Sequence, residues 1–205
     1  MPARQSNTSA KSALAKPIAN RIGGHLALDF CNTAGEHLAT QPDEMLIDWE
    51  SFLRWATQAG LITPQTYAEL LHHPSTVDKV LRLREAIYRI GLAIARGNSI
   101  PNRDLLILRE HANAPKPTVA IGQDGLRWRP DPQQAPQQLL AILASEALSL
   151  FCSPQSSRIG ICEGGLCGWL FLDESRGKQR RWCDMKDCGN RAKARRYYQQ
   201  KHKTE

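Results

Sequence analysis

The chain has 205 residues, 41% of them hydrophobic and 23% charged, and a formal net charge of +7. That length admits one sizeable core with a small appendage, and the composition is that of a globular protein, not a fibrous or low-complexity one. No run approaches the ~18 apolar residues of a membrane span. Residues 1–20 lack the apolar stretch of a secretory signal, so a cytoplasmic protein with a polar, disordered tail over 1–20 is expected.

The first predicted element is a strand over Gly23–Cys31, because Leu26, Leu28 and Phe30 alternate onto one face. His25, Asp29 and Cys31 would share the opposite face, and with Asn32 just beyond it His25 and Asp29 mark a candidate ligand pocket for an unidentified small-molecule effector. A helix follows Asp48, with Phe52, Leu53, Trp55 and Ala56 on one side and Gly60 as its stop. Thr63-Pro64 opens a second helix, ending near His73-Pro74. Thr76–Arg96 carries the longest three-and-four apolar spacing and stops at Gly97-Asn98. Pro101–Ala112 is another amphipathic helix. Thr118–Ile121 and Leu126–Arg129 flank Gly122-Gln123-Asp124-Gly125, a hairpin signal. A long apolar helix is expected over Leu139–Phe151, then a linker at Ser153–Ser157. The fold class is therefore α+β: a helix-rich mixed N-terminal domain with a small β-sheet over 21–155, plus a C-terminal module over 158–203.

That module contains Cys162-x4-Cys167 and, fifteen residues later, Cys183-x4-Cys188. Two close pairs across a short spacer build a tetrahedral thiolate cage for one zinc ion, each pair giving two ligands at low loop-closure cost. Four thiolates leave no open coordination position, so the metal is structural and catalysis is not expected. Cys31 and Cys152 lie in apolar runs, which favours metal-bound thiolates in a reducing compartment over disulfides. Gly168–Asp173 reads as a strand leaving the first pair and Arg180–Cys183 as its return. A helix over Arg191–Gln200 then makes a treble-clef-like arrangement.

Charge is concentrated here. Arg158–Glu205 holds 12 basic and 6 acidic side chains, so +6 of the +7 lies in this segment. A near-neutral body with a basic module points to an anionic polymer as partner. Arg180, Arg181, Asn190, Arg191, Lys193, Arg195, Arg196 and Tyr198 are the candidate nucleic-acid-binding residues. At 100° per residue Arg191, Arg195 and Tyr198 form one stripe of the helix, and Lys193, Arg196 and Gln200 another. Trp169 and Trp182 are expected to shield the thiolates.

The stretch from Cys162 to Tyr198, with Cys-Gly-Asn-Arg at 188–191 and Arg-Arg-Trp-Cys at 180–183, resembles the CGNR zinc finger family. Gly24–Thr33 resembles the start of the ABATE domain that precedes this finger. Cys31 stands where the family often has Val, and Gly177 where it often has Asn. The resemblance implies an α/β domain joined to a DNA-binding zinc finger in a stress-induced transcription regulator. Duplex DNA is the expected partner, and a homodimer is expected because one finger of this size reads few base pairs. RNA binding and protein interaction through the zinc module are the alternatives.

Overall fold

A computed structural model describes residues 18–19, 21–73, 75–122 and 125–201. The expectation of a disordered tail therefore lies, apart from Ile18 and Ala19, outside the described residues. No helix among the described residues is long and apolar enough to cross a membrane.

The first element is a correction. Leu26–Cys31 is a helix, α1, and not a strand. The His25 ring nitrogen accepts the Ala27 N–H at 3.2 Å, and the backbone of Asn32 closes the other end. Residues 27–31 are all buried. A short segment buried on every side carries no decisive period, so its alternation did not discriminate.

After the two-residue strands β1 (Ala34–Gly35) and β2 (Asp43–Glu44), α2 spans Trp49–Gln58. Asp48 and Ser51 form a reciprocal cap: the Ser51 N–H donates to Asp48 Oδ1 at 2.7 Å and the Asp48 N–H to Ser51 Oγ at 3.0 Å. Such a cap contributes about 1 kcal/mol. The buried face of α2 sets Trp55 5.2 Å from Phe30, ring centre to ring centre. Helix α3 (Pro64–Leu71) starts at the expected Thr-Pro pair, with Thr63 capping Thr66. Helix α4 (Asp78–Arg96) ends where Gly97 takes φ 66°, a conformation glycine adopts without strain. Helix α5 (Asn102–Ala112) and the β3–β4 hairpin (Thr118–Gly122, Gly125–Arg129) follow. The hairpin pairs Thr118 with Arg129 and Ile121 with Leu126. Helix α6 (Ala135–Phe151) begins earlier than expected, with Pro136 in its first turn.

The expected linker is a 3-10 turn, Pro154–Arg158, capped by Ser153 and running straight into strand β5 (Ile159–Ile161). Strand β5 pairs antiparallel with β6 (Leu170–Leu172), Ile159 opposite Leu172. The hairpin expected between 168–173 and 180–183 is thus replaced by one whose strands precede and follow the first cysteine pair. The segment from 173 to 180 is closed by a side chain: the buried Asp173 carboxylate accepts the Ser175 and Arg180 N–H groups, each at 2.8 Å. Helix α7 (Asn190–Lys201) closes the described chain, preceded by a wide π-type turn at Met185–Gly189.

The main apolar core joins the helices to the β5–β6 strands. Ile159, Leu170 and Leu172 belong to the same buried cluster as Phe30, Trp55, Leu83 and Leu143. Contact is close at Gly91 of α4, where a β-carbon would sit 2.8 Å from Leu170 Cδ1. The cysteine-bearing hairpin is therefore packed into the helical body, not tethered to it.

Candidate metal centre and nucleic-acid interface

Cys162 and Cys167 flank the loop at the tip of the β5–β6 hairpin, while Cys183 and Cys188 bracket the chain entering the π-type turn. All four are buried, and their sulfurs lie within 4.8 Å of one another. Cys167–Cys183 is 3.7 Å and Cys183–Cys188 3.6 Å, sulfur to sulfur. A tetrahedron with Zn–S bonds of ~2.3 Å has edges of about 3.8 Å, so the spacing fits one zinc ion.

Electrostatics agree. Thiol hydrogen bonds from Cys167 and Cys183 pull Cys162 far below the usual thiol range, and the same bonds drive Cys167 up to about 12 and Cys183 higher still. Four sulfurs this close cannot all be thiolates without a cation between them, and a dication removes that conflict. Gly164 lines the cage tightly: a β-carbon there would lie 2.7 Å from Cys188 Sγ and 3.1 Å from Cys162 Sγ. Trp169 and Trp182, both half-buried, pack against the sulfur cluster as expected. The cofactor is one structural zinc, and its thiolates are a site of folding energy rather than of reaction.

The helical body grips this centre through polar contacts that sequence reasoning missed. The His37 and Leu38 N–H groups donate to the carbonyls of Cys167 and Leu166 at 2.9 and 3.0 Å. Trp169 Nε1 donates to the Ala34 carbonyl at 2.7 Å, and the Tyr88 hydroxyl to that of Gly168 at 3.0 Å. Asn32 is fully buried; its Nδ2 donates to the Leu170 carbonyl at 2.9 Å, and its Oδ1 accepts the Leu170 N–H at 3.0 Å. No periodicity or spacing announces a contact across 138 residues.

Asn32 was expected to line a pocket with His25 and Asp29. The helical form of α1 leaves His25 and Asp29 on one surface cleft of about 480 Å³, with Arg21, and turns Asn32 away from it. His25 caps α1, and the buried Asp29 accepts the Gly23 N–H at 2.8 Å and faces Arg21 at 3.8 Å. Asn32 turns into the seam with the hairpin, so the three do not line one cavity.

The basic side chains divide into two groups. Arg180 is bound up within the fold: its guanidinium lies 4.3 Å from the Phe171 ring centre and donates to the carbonyls of Ile22 at 2.9 Å, Trp182 at 3.1 Å and Leu172 at 3.3 Å. Arg181 pairs with Glu163 and lies over Trp182. Arg191 points back at the metal centre, with Nη2 3.1 Å from Cys188 Sγ and Nε 3.1 Å from Asp187 Oδ1. The Asn190 amide donates to the Lys186 carbonyl at 2.9 Å. The Arg195 guanidinium lies over the Cys162–Cys167 loop, where a β-carbon on Gly165 would approach its Nη1 to 3.0 Å.

The second group is outward. Lys193, Arg196 and Lys201 are exposed, and they form no ion pair among the described residues. Helix α7 buries none of its side chains. Tyr197 and Tyr198 are 63% and 62% exposed and meet edge-to-face at 5.8 Å.

Comparison with known families agrees with this architecture. Residues 24–154 match the ABATE family, described as "Putative stress-induced transcription regulator". Residues 158–201 match the CGNR zinc finger. No curated protein matches the chain. The chain belongs to the ABATE family and carries a CGNR zinc finger, and neither family is an enzyme family.

Proposed function

We propose that this ABATE-family chain is a cytoplasmic transcription regulator that binds duplex DNA through the outward face of α7, with the N-terminal helices sensing a ligand or mediating dimerisation. The observation that carries the reading is the state of α7. It is twelve residues long, has no buried side chain and no acidic residue, and turns Lys193, Arg196 and Lys201 to solvent beside Tyr197. A helix that packs none of its own side chains gains little from being held rigidly in place unless a partner covers it. Cations without carboxylate partners are what a phosphate backbone requires.

The structure supports a narrower choice than the sequence does. Arg180, Arg181 and Arg191 have partners inside the module, and Asn190 holds the turn. The phosphate contacts are therefore assigned to Lys193, Arg196 and Lys201, with Arg195 at the margin. Three or four contacts give weak binding per copy, so two copies on adjacent sites would supply the affinity of a specific regulator. Zinc positions α7 and takes no part in contact.

The exposed tyrosine pair favours a second reading, stacking on unpaired RNA bases. A direct test is fluorescence anisotropy of the zinc-loaded protein on mixed duplex DNA at two salt concentrations, with a hairpin RNA as competitor. The DNA reading expects binding that weakens steeply with salt and resists the RNA. Displacement by small amounts of RNA selects the second reading. Absence of binding at low salt overturns both and leaves the basic helix to a protein partner.

A further inference from the structure

Far from the zinc centre, the start of α4, the end of α5 and the start of α6 enclose a cleft of about 430 Å³, within the range of small-molecule sites. Thr76, Lys79, Arg82, His111, Gln134 and Gln137 line it. Deeper along α4 the arginines are neutralised: Arg84 meets Glu44 at 2.6 Å, and Arg89 meets Asp104 at 2.7 Å. Among the described residues Lys79 and Arg82 have no carboxylate within 4.0 Å, and Glu110 is the one acidic side chain on the cleft wall. Two cations, Lys79 and Arg82, thus gather in a concave site with the His111 imidazole beside them and a single carboxylate, Glu110, on the wall.

We propose that this cleft binds a small anion carrying at least two negative charges, of the phosphorylated or polycarboxylate class. The inference rests on the reading of the N-terminal helices as the ligand-sensing part of the chain, and it places the effector site here instead of at His25, Asp29 and Asn32. Lys79 and Arg82 supply the charge, and the hydroxyl of Thr76 and the amide of Gln137 supply neutral donors, while the Gln134 amide donates to Asp131 Oδ2 at 3.4 Å. The field is felt at His111: burial lowers its pKa, Glu110 opposes this, and the charges of Arg82 and Lys79 add to the lowering. An anion between them relieves that repulsion. Helices α4 and α6 also begin here without side-chain caps; Asp78 in the first turn offsets the positive end of α4, while α6 has no acidic residue in its first turn and its N–H end adds to the positive field. Helix α4 then runs from the cleft to the seam, where Tyr88 and Gly91 touch the cysteine-bearing hairpin.

The test is calorimetric titration of the full-length, zinc-loaded protein with pyrophosphate and with citrate, against chloride at matched ionic strength. The expected result is saturable single-site binding of at least one anion, weakened about tenfold or more in the Lys79→Gln/Arg82→Gln double variant. A Lys193→Gln/Arg196→Gln variant is expected to keep that affinity, which separates the cleft from the nucleic-acid face. In the unmodified protein the His111 ring resonances are expected to shift as the anion saturates. No saturable binding of either anion overturns the proposal. So does binding that survives the cleft variant, or that is lost only with the α7 charges, or that leaves His111 unmoved.

Discussion

The two sides of the zinc module are built on opposite terms. The β5–β6 hairpin puts Ile159, Leu170 and Leu172 into the core of the helical body, and Asn32, Tyr88, Trp169, His37 and Leu38 tie the segment from 166 to 170 to it. Helix α7, held to the same metal through Cys188, buries nothing. Basic residues follow the division: Arg180 and Arg191 are spent on carbonyls, a sulfur and a carboxylate, while Lys193, Arg196 and Lys201 have no such partner among the described residues. One metal therefore anchors an inner side that belongs to the fold and an outer side available for binding. Charge alone does not distinguish them; partners do.

The largest effect that can break this comparison is loss of the metal. Structural zinc contributes on the order of 10 kcal/mol to small modules. Because the hairpin shares the main core, Cys188→Ser or chelation is expected to lower the melting temperature of the whole chain, read by far-UV circular dichroism. An unchanged transition of the helical body would show that the hairpin is a separate unit. Next comes Asn32→Ala. It leaves the buried N–H and carbonyl of Leu170 without partners, and at ~1–3 kcal/mol for each group a loss of about 2–5 kcal/mol is expected in urea unfolding. A loss under 1 kcal/mol would mean that the seam is wet and weak.

Much of the body was legible because its signals are local. The helix starts at Asp48 and Thr63-Pro64 and the stop at Gly97 are each set within one turn of their own helix, and all three mark real ends. The four cysteines were legible for the same reason, since metal spacing is written in the chain. What the sequence hid is non-local. Residues 27–31 took their form from a buried setting that erases periodicity. Strand β6 found β5 instead of residues 180–183, a choice set by which partner lets Leu170 and Leu172 reach the core. Arg180 looked like every other arginine in a basic run, and only the surrounding carbonyls identify it as a bolt. Cys152, expected in an apolar setting, is exposed at the C-terminal end of α6, whereas Cys31 is buried as its neighbours suggest.

Smaller effects sharpen the picture of the inner side. Gly164→Ala drives a β-carbon to 2.7 Å from Cys188 Sγ. Overpacking of this kind costs ~1–3 kcal/mol, so zinc affinity in chelator competition is expected to fall about ten- to a hundredfold. An affinity within a factor of two would mean that the loop yields freely. Arg191→Gln removes the N–H donated to Cys188 Sγ, and loss of such a supporting contact typically weakens metal binding by about tenfold or more. If Arg191 instead served the outer side, the same variant would release zinc at the normal rate and lose only nucleic-acid affinity.

The smallest expected effect on stability is the most informative about the outer side. Lys193→Gln with Arg196→Gln removes two exposed charges from a helix that packs nothing, and substitutions of this kind usually stay within about 0.5 kcal/mol. Melting temperature and zinc affinity are therefore expected to match the unmodified protein. Binding to duplex DNA is expected to weaken, and the slope of log affinity against log salt to flatten by about 2, close to one unit per phosphate contact removed. An unchanged slope would remove these side chains from the interface and shift the outer side to Arg195 and the tyrosines. A fallen melting temperature would show that α7 is not free of the fold, and the division between the two sides would fail at its simplest point.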